Sequence, residues 1–283
     1  MTEAGLRRRI VPPVLLLAVL AAAILLQPVV APDLGLGNPD RSRVDQLRAT
    51  LDRLPDRALV VVGMDADLGT YPEIRVTARA AFEDLLGRGA RLAFVSFSTE
   101  GRAVSAAEQA RLRDAGTPAG AVLDLGYVAG AEAGLVRAVT DVLPVGASGP
   151  QADAIEEAGG GLAAFSMALV VSGADLGARS WVEQVGTRLP DLPMVAIAPT
   201  FMLPELQPYL RTGQLSALLA SVRDGAAYAE ATGATDTADG TAGDRPPSAL
   251  AMLIGMLIAA GTLGRLVARG VLDLARAARG ART

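Results

Sequence analysis

The sequence predicts an α/β domain on a doubly wound, mostly parallel sheet of about five strands, flanked by two transmembrane helices. Three observations predict it. Short apolar runs rich in β-branched residues alternate with amphipathic runs of helix length. The apolar runs are continuous rather than alternating in polarity, the pattern of strands buried on both faces. Two long uncharged stretches bracket the whole.

The elements follow in order. Val44, Leu47, Leu51 and Leu54 recur at helical spacing across Arg41–Leu54. Strands are expected at Ala58–Met64, Arg91–Phe97, Ala121–Tyr127, Met167–Ser172 and Met194–Ala198. Helices are expected at Pro72–Leu86, Ser105–Ala115, Ala131–Val142, Asp153–Phe165 and Ala178–Leu189, with a last one at Gln214–Ala231. Strands joined by crossover helices run parallel, so the arrangement is Rossmann-like. ATGATDTADGTAGDRPPS, rich in Gly, Thr, Ala and Asp, then reads as a flexible acidic linker over 232–247.

A hydrophobic fraction of 51% with only 20% charged residues is high for a wholly soluble protein. Two segments supply the excess. Ile10–Val30 holds no charge over 21 positions, enough to cross a hydrocarbon core of about 30 Å. Ser248–Gly264 is uncharged over 17, and extends to 267 because Arg265 can snorkel. Arg7, Arg8 and Arg9 precede the first; Arg265, Arg269, Arg276, Arg279 and Arg282 follow the second. By the positive-inside rule both ends are cytoplasmic. The expected organisation is thus a cytoplasmic start (1–9), a membrane helix (10–30), a spacer and helix (31–57), an extracytoplasmic domain (58–231), the linker, a second membrane helix (248–267) and a basic cytoplasmic tail (268–283). A cleaved signal peptide is the rival for the first segment, since Val14–Leu26 has the length of a signal core and Val29-Val30-Ala31 offers a small-residue site. Pro32 follows that site directly and the apolar run reaches spanning length, so an uncleaved anchor is preferred.

Between the segments 18 arginines face 28 acidic residues, a net of −10. Such a domain has no electrostatic footprint for nucleic acid. The chain has no cysteine, histidine or lysine. Disulfides, thiol and histidine catalysis, Ser–Lys dyads, Schiff bases, the P-loop lysine and Cys/His zinc sites are therefore all excluded. No catalytic residue and no cofactor are implied.

Asp65, Asp67, Ser96, Ser98, Asp175 and Thr200 fall at or just past strand ends, where open α/β sheets bind ligands. They form a candidate oxygen-rich site for a small ligand or a divalent cation. ALVVVGMDADLG at 58–69 is echoed by ALVVSGADLG at 168–177, which puts Asp67 and Asp175 in equivalent places before a helix. Asp is a preferred N-cap, worth about 1 kcal/mol, and capping is the stronger reading of both. Gly126, Gly130 and Gly134 suit an anion at a helix N-terminus less well than a glycine turn with close packing. Trp181 is expected to pack a helix on the sheet, and the Pro- and Phe-bearing segment 199–214 to cover a cleft or fold onto the core. In the second membrane segment Ala251, Gly255 and Ala259 share one helix face, spacing that lets two membrane helices approach closely.

LDLGYVAGAEAGL, GADLGARSWVEQVG and LQPYLRTGQLSALLASVRDGAAYAE resemble a family of uncharacterised prokaryotic membrane proteins with one extracytoplasmic α/β domain between N- and C-terminal membrane helices. The resemblance covers most of 58–265 and implies a bacterial or archaeal cell-membrane location; it carries no activity with it. The expected function is a non-enzymatic component of a membrane assembly that binds partner subunits or copies of itself. An extracytoplasmic ligand or metal sensor is the alternative.

Overall fold

The computed structural model describes residues 41–118, 120–141, 160–173, 176–220 and 222–233. They form an α/β fold around one six-stranded sheet in which every neighbouring pair is parallel. The strands are β1 (Leu59–Asp65), β2 (Arg91–Ser96), β3 (Val122–Tyr127), β4 (Met167–Ser172), β5 (Met194–Ile197) and β6 (Ala217–Leu219). Their spatial order is β3-β2-β1-β4-β5-β6, so the winding direction reverses between β1 and β4. The helices are α1 (Arg41–Leu51), α2 (Tyr71–Gly87), α3 (Thr99–Asp114), α4 (Ala131–Thr140), α5 (Ala178–Ser180), α6 (Leu203–Arg211) and α7 (Val222–Thr232).

Side chains alternate across each strand. Val60, Val62 and Met64 therefore join a core with Leu47, Phe82 and Tyr228 of α1, α2 and α7. Leu59 and Val61 face the opposite core with Leu135, Trp181 and Leu206. With apolar cores on both faces, the central strands have no solvent-facing side, which explains their unbroken apolar runs. α1 buries Val44, Leu47 and Leu51, the spacing read from the sequence.

Several elements differ from expectation, α6 among them, since no helix is expected within 199–214. The run Gln214–Ala231 is not one helix: Ala217–Leu219 is a sixth strand, paired with β5, and α7 starts only at Val222. A three-residue buried run shows no period to tell strand from helix. The helix expected at Ala178–Leu189 begins as α5, then widens into a π-helical turn, Trp181–Gly186. Of the helix expected at Asp153–Phe165, the described part holds a 3₁₀ turn at Leu162–Ala164.

The edge strand β3 is bulged. Phe94 pairs with Asp124 and Val95 with Gly126, leaving Leu125 as the extra residue. Asp124 accepts a bond from Gly126 N–H at 2.9 Å and two from Arg102 at 2.6 and 2.8 Å. A bulge and an ion pair blunt this edge against strand addition.

No helix among the described residues is long and apolar enough to cross a membrane. Segments 10–30 and 248–267, the linker beyond Gly233 and the positions Ala251, Gly255 and Ala259 lie outside the described residues.

Candidate functional site

Because all strands are parallel, their carboxyl ends share one rim of the sheet. The reversal of strand order between β1 and β4 opens a crevice there, where two neighbouring crossovers leave in opposite directions. The structure holds an open cleft of about 610 Å³ at this place, lined by Asp67, Thr70, Gly173, Gly177, Arg179, Phe201, Met202 and Glu205. A cavity of similar size, about 590 Å³, lies among the carboxyl ends of α2, α3 and α7 and holds no residue singled out from the sequence.

Asp65 is not a rim residue. β1 runs one residue further than expected, so Asp65 is its last member, opposite Ser172 in register and fully buried. Its carboxylate accepts bonds from Phe97 N–H at 2.8 Å and from the Trp181 indole Nε1–H at 3.0 Å. Burial pushes the carboxyl up from its ordinary value to about 6, against the lowering bonds from Trp181 and the backbone N–H groups of Phe97 and Ser98. Trp181 stacks edge-on to Phe97, with ring centroids 5.7 Å apart, and covers Gly63 so closely that a Cβ there would lie 2.5 Å from the indole. Gly63 is the residue that lets the ring sit flat on the strand.

Asp67 serves its own turn, accepting from Thr70 N–H at 2.6 Å and from Thr70 Oγ1–H at 2.8 Å. The Thr70 hydroxyl also lies 3.0 Å from the Gly173 carbonyl oxygen, so its single hydrogen is shared between Asp67 and the β4 loop across the crevice. Ser98 is the N-cap of α3, accepting from Gly101 N–H at 3.0 Å. Ser96 is buried with its hydroxyl unpartnered, on the sheet face opposite Asp65 because their strands place them on alternate sides. Thr200 is exposed and donates its backbone N–H to Glu73 at 2.9 Å. Asp175 lies outside the described residues. Of the six expected site residues, the structure places Asp67 on the cleft, Asp65 beneath it and Ser96 on the far face of the sheet. Among the described residues no group of three or more acidic side chains could hold a metal ion.

Arg179 and Thr70 form the cleft without having been expected there, whereas Phe201 and Glu205 come from the segment 199–214, expected to cover a cleft or fold onto the core. Arg179 pairs with Glu205 at 3.1 Å; both are about half exposed, so the bond exchanges readily with solvent. Phe201 is 66% exposed. The other large hydrophobics left exposed among the described residues are Leu68 (63%), Tyr127 (42%) and Val222 (39%). Leu68 follows β1, Tyr127 ends β3, Phe201 follows β5 and Val222 follows β6. All four therefore stand on the carboxyl rim. Gly130 opens α4 with φ of 105°, and a Cβ on Gly134 would meet the Ala129 oxygen at 2.7 Å, so these glycines serve a left-handed turn and a close approach.

The chain matches no family model, no curated protein and no solved structure.

Proposed function

We propose that this protein is a non-enzymatic, membrane-anchored component of a membrane assembly, whose α/β domain docks partner subunits or further copies of itself through the carboxyl rim of its sheet. In this reading the domain is Rossmann-like and doubly wound, hangs outside a prokaryotic cell membrane on the apolar segments 10–30 and 248–267, and leaves both termini in the cytoplasm. One observation carries the docking: the exposed large hydrophobics Leu68, Tyr127, Phe201 and Val222 all gather on one rim. Isolated apolar side chains scatter over a surface without meaning, whereas a one-sided set marks an interaction face. The bulge and ion pair at β3 turn docking on that edge of the sheet away from strand addition. The missing cysteine, histidine and lysine support a role without catalysis.

Native mass spectrometry of the full-length protein, extracted in mild detergent, tests this. A complex of defined mass is expected, weakened in the Leu68→Asp, Phe201→Asp double variant; a lone monomer overturns the reading. Protease added to sealed cells tests the orientation, and removal of the domain with the tails intact is the expected result.

The cleft of about 610 Å³ favours a second reading, a small-ligand or divalent-metal sensor. A thermal shift with one member of a metabolite and cation panel, lost in Asp67→Ala, would promote it.

A further inference from the structure

Asp65 lies where two demands conflict. A carboxylate taken fully out of water loses its hydration, and native proteins almost always return a cation in exchange. Among the described residues none is returned. The donors to Asp65 are neutral, the indole Nε1–H of Trp181 and the backbone N–H groups of Phe97 and Ser98.

The surrounding elements turn their charges elsewhere. After β1, Asp67 is bound to Thr70. After β2, Glu100 accepts from Leu68 N–H and Arg102 pairs with Asp124. On α4, Glu132 accepts from Ser180 Oγ–H and Arg137 donates to the Ala129 carbonyl. On α5 and the π-helical turn, Arg179 pairs with Glu205, and Glu183 accepts from the Tyr209 hydroxyl. Among the described residues β4 brings Ser172, whose hydroxyl already accepts from Ala178 N–H at 3.0 Å.

An ionised carboxylate satisfies all of its donors. A protonated one carries a hydrogen on one oxygen, which becomes a donor and a poorer acceptor for an N–H pointing at it. The backbone N–H of Phe97 stands one residue past β2, next to Ser96, whose carbonyl accepts from Val128 N–H, whereas Trp181 opens a single π-helical turn, a rare form of helix. The indole bond is thus the one that yields. Arg179, two residues before Trp181, stands on the cleft wall.

We propose that Asp65 is a proton-operated latch: ionised, it pins the Trp181 indole and the π-helical turn to the sheet, and on protonation it releases them and loosens the Arg179 side of the cleft. The latch goes beyond the docking reading and does not depend on it. Burial holds the carboxyl near 6, so mild acidification is enough to work it.

Trp181 is the only tryptophan, so it reports on its own bond. In the full-length protein, its emission should change across the weakly acidic range as one proton binds, with a midpoint about 6. Asp65→Asn should abolish that transition, while Asp67→Asn and Glu132→Gln keep it. Flat wild-type emission, or a transition that survives in Asp65→Asn, overturns the latch. The indole N–H resonance of the wild-type chain gives a reading that does not require the variant to fold. It should move with the same midpoint, and a resonance that stays fixed over that range also overturns the proposal.

Discussion

Glu108 on α3 and Asp65 on β1 are both buried carboxylates, and the molecule treats them in opposite ways. Burial works to raise each. At Glu108 the guanidinium of Arg79, with bonds of 3.1, 3.1 and 2.8 Å, and that of Arg111, at 2.8 Å, overcome burial and hold the carboxyl below its ordinary value. At Asp65 only neutral donors answer, and the carboxyl stays high, at about 6. Depth therefore does not decide the charge state; the formal charge of the donor does. The first carboxylate clamps α2 to α3. The second leaves a titration in the middle of the fold, under the cleft.

The largest effect should come from removing the clamp. Glu108→Ala leaves Arg79 and Arg111 facing each other without their shared anion. Both guanidiniums keep some exposure, 25% and 20%, so the loss should fall at the low end for a broken buried pair, about 3 kcal/mol. The urea midpoint should drop with an unchanged slope; a change under about 1 kcal/mol would show that solvent already screens the cluster.

The pH dependence of stability separates the two carboxylates by sign. Asp65 titrates at about 6 when folded and near 3.8 when unfolded, so between those values the folded chain holds a proton that the unfolded chain lacks. Its contribution to stability grows as pH falls through 6 and is lost as pH rises through it, an upper limit of about 3 kcal/mol. Glu108, held below its unfolded value, contributes above that value and loses its contribution as acid protonates the folded form. The stability difference between wild type and Asp65→Asn, measured by urea unfolding, should therefore widen in favour of wild type on mild acidification. The same difference taken against Glu108→Gln should shrink at lower pH still. Two differences of one sign would end the contrast.

Much of the sheet was legible in the sequence because strands buried on both faces advertise themselves: Met167–Ser172 is a strand with the bounds its apolar run suggested. β6 was not, since three residues hold no period. The site was less legible. Asp65 looked like a rim residue because the apolar run stops at Met64, yet β1 continues through it. Its bond to Trp181 joins positions 116 apart in the chain, and no local pattern encodes such a pairing. One signal did exist, the lone glycine at 63 directly after three valines, where a strand glycine marks a close approach by another group.

That glycine gives a smaller and more local test. In Gly63→Ala the new methyl would meet two indole carbons at 2.5 and 2.8 Å, and a rigid ring has no flexible end to give way. Overpacking of this kind costs about 2 kcal/mol. Because the ring must lift from β1, its bond to Asp65 should lengthen, and the acid-linked change in Trp181 emission should weaken even where the protein still folds. An unchanged stability together with an unchanged titration would mean that the indole is not held as described, and the contrast with Glu108 would lose its second member.

The smallest expected effect on stability belongs to the rim, and its smallness is informative. Leu68 and Phe201 are 63% and 66% exposed, so replacing both with Asp removes little buried surface and should shift the unfolding free energy by no more than about 0.5 kcal/mol. The same substitutions place two charges on the face proposed for docking, where burying an unpaired carboxylate against a partner is costly. A loss of assembly at unchanged stability would assign these side chains to binding. A large loss of stability would instead show that they pack within the chain, leaving only Tyr127 and Val222 exposed on the rim, too few and too scattered to make an interaction face.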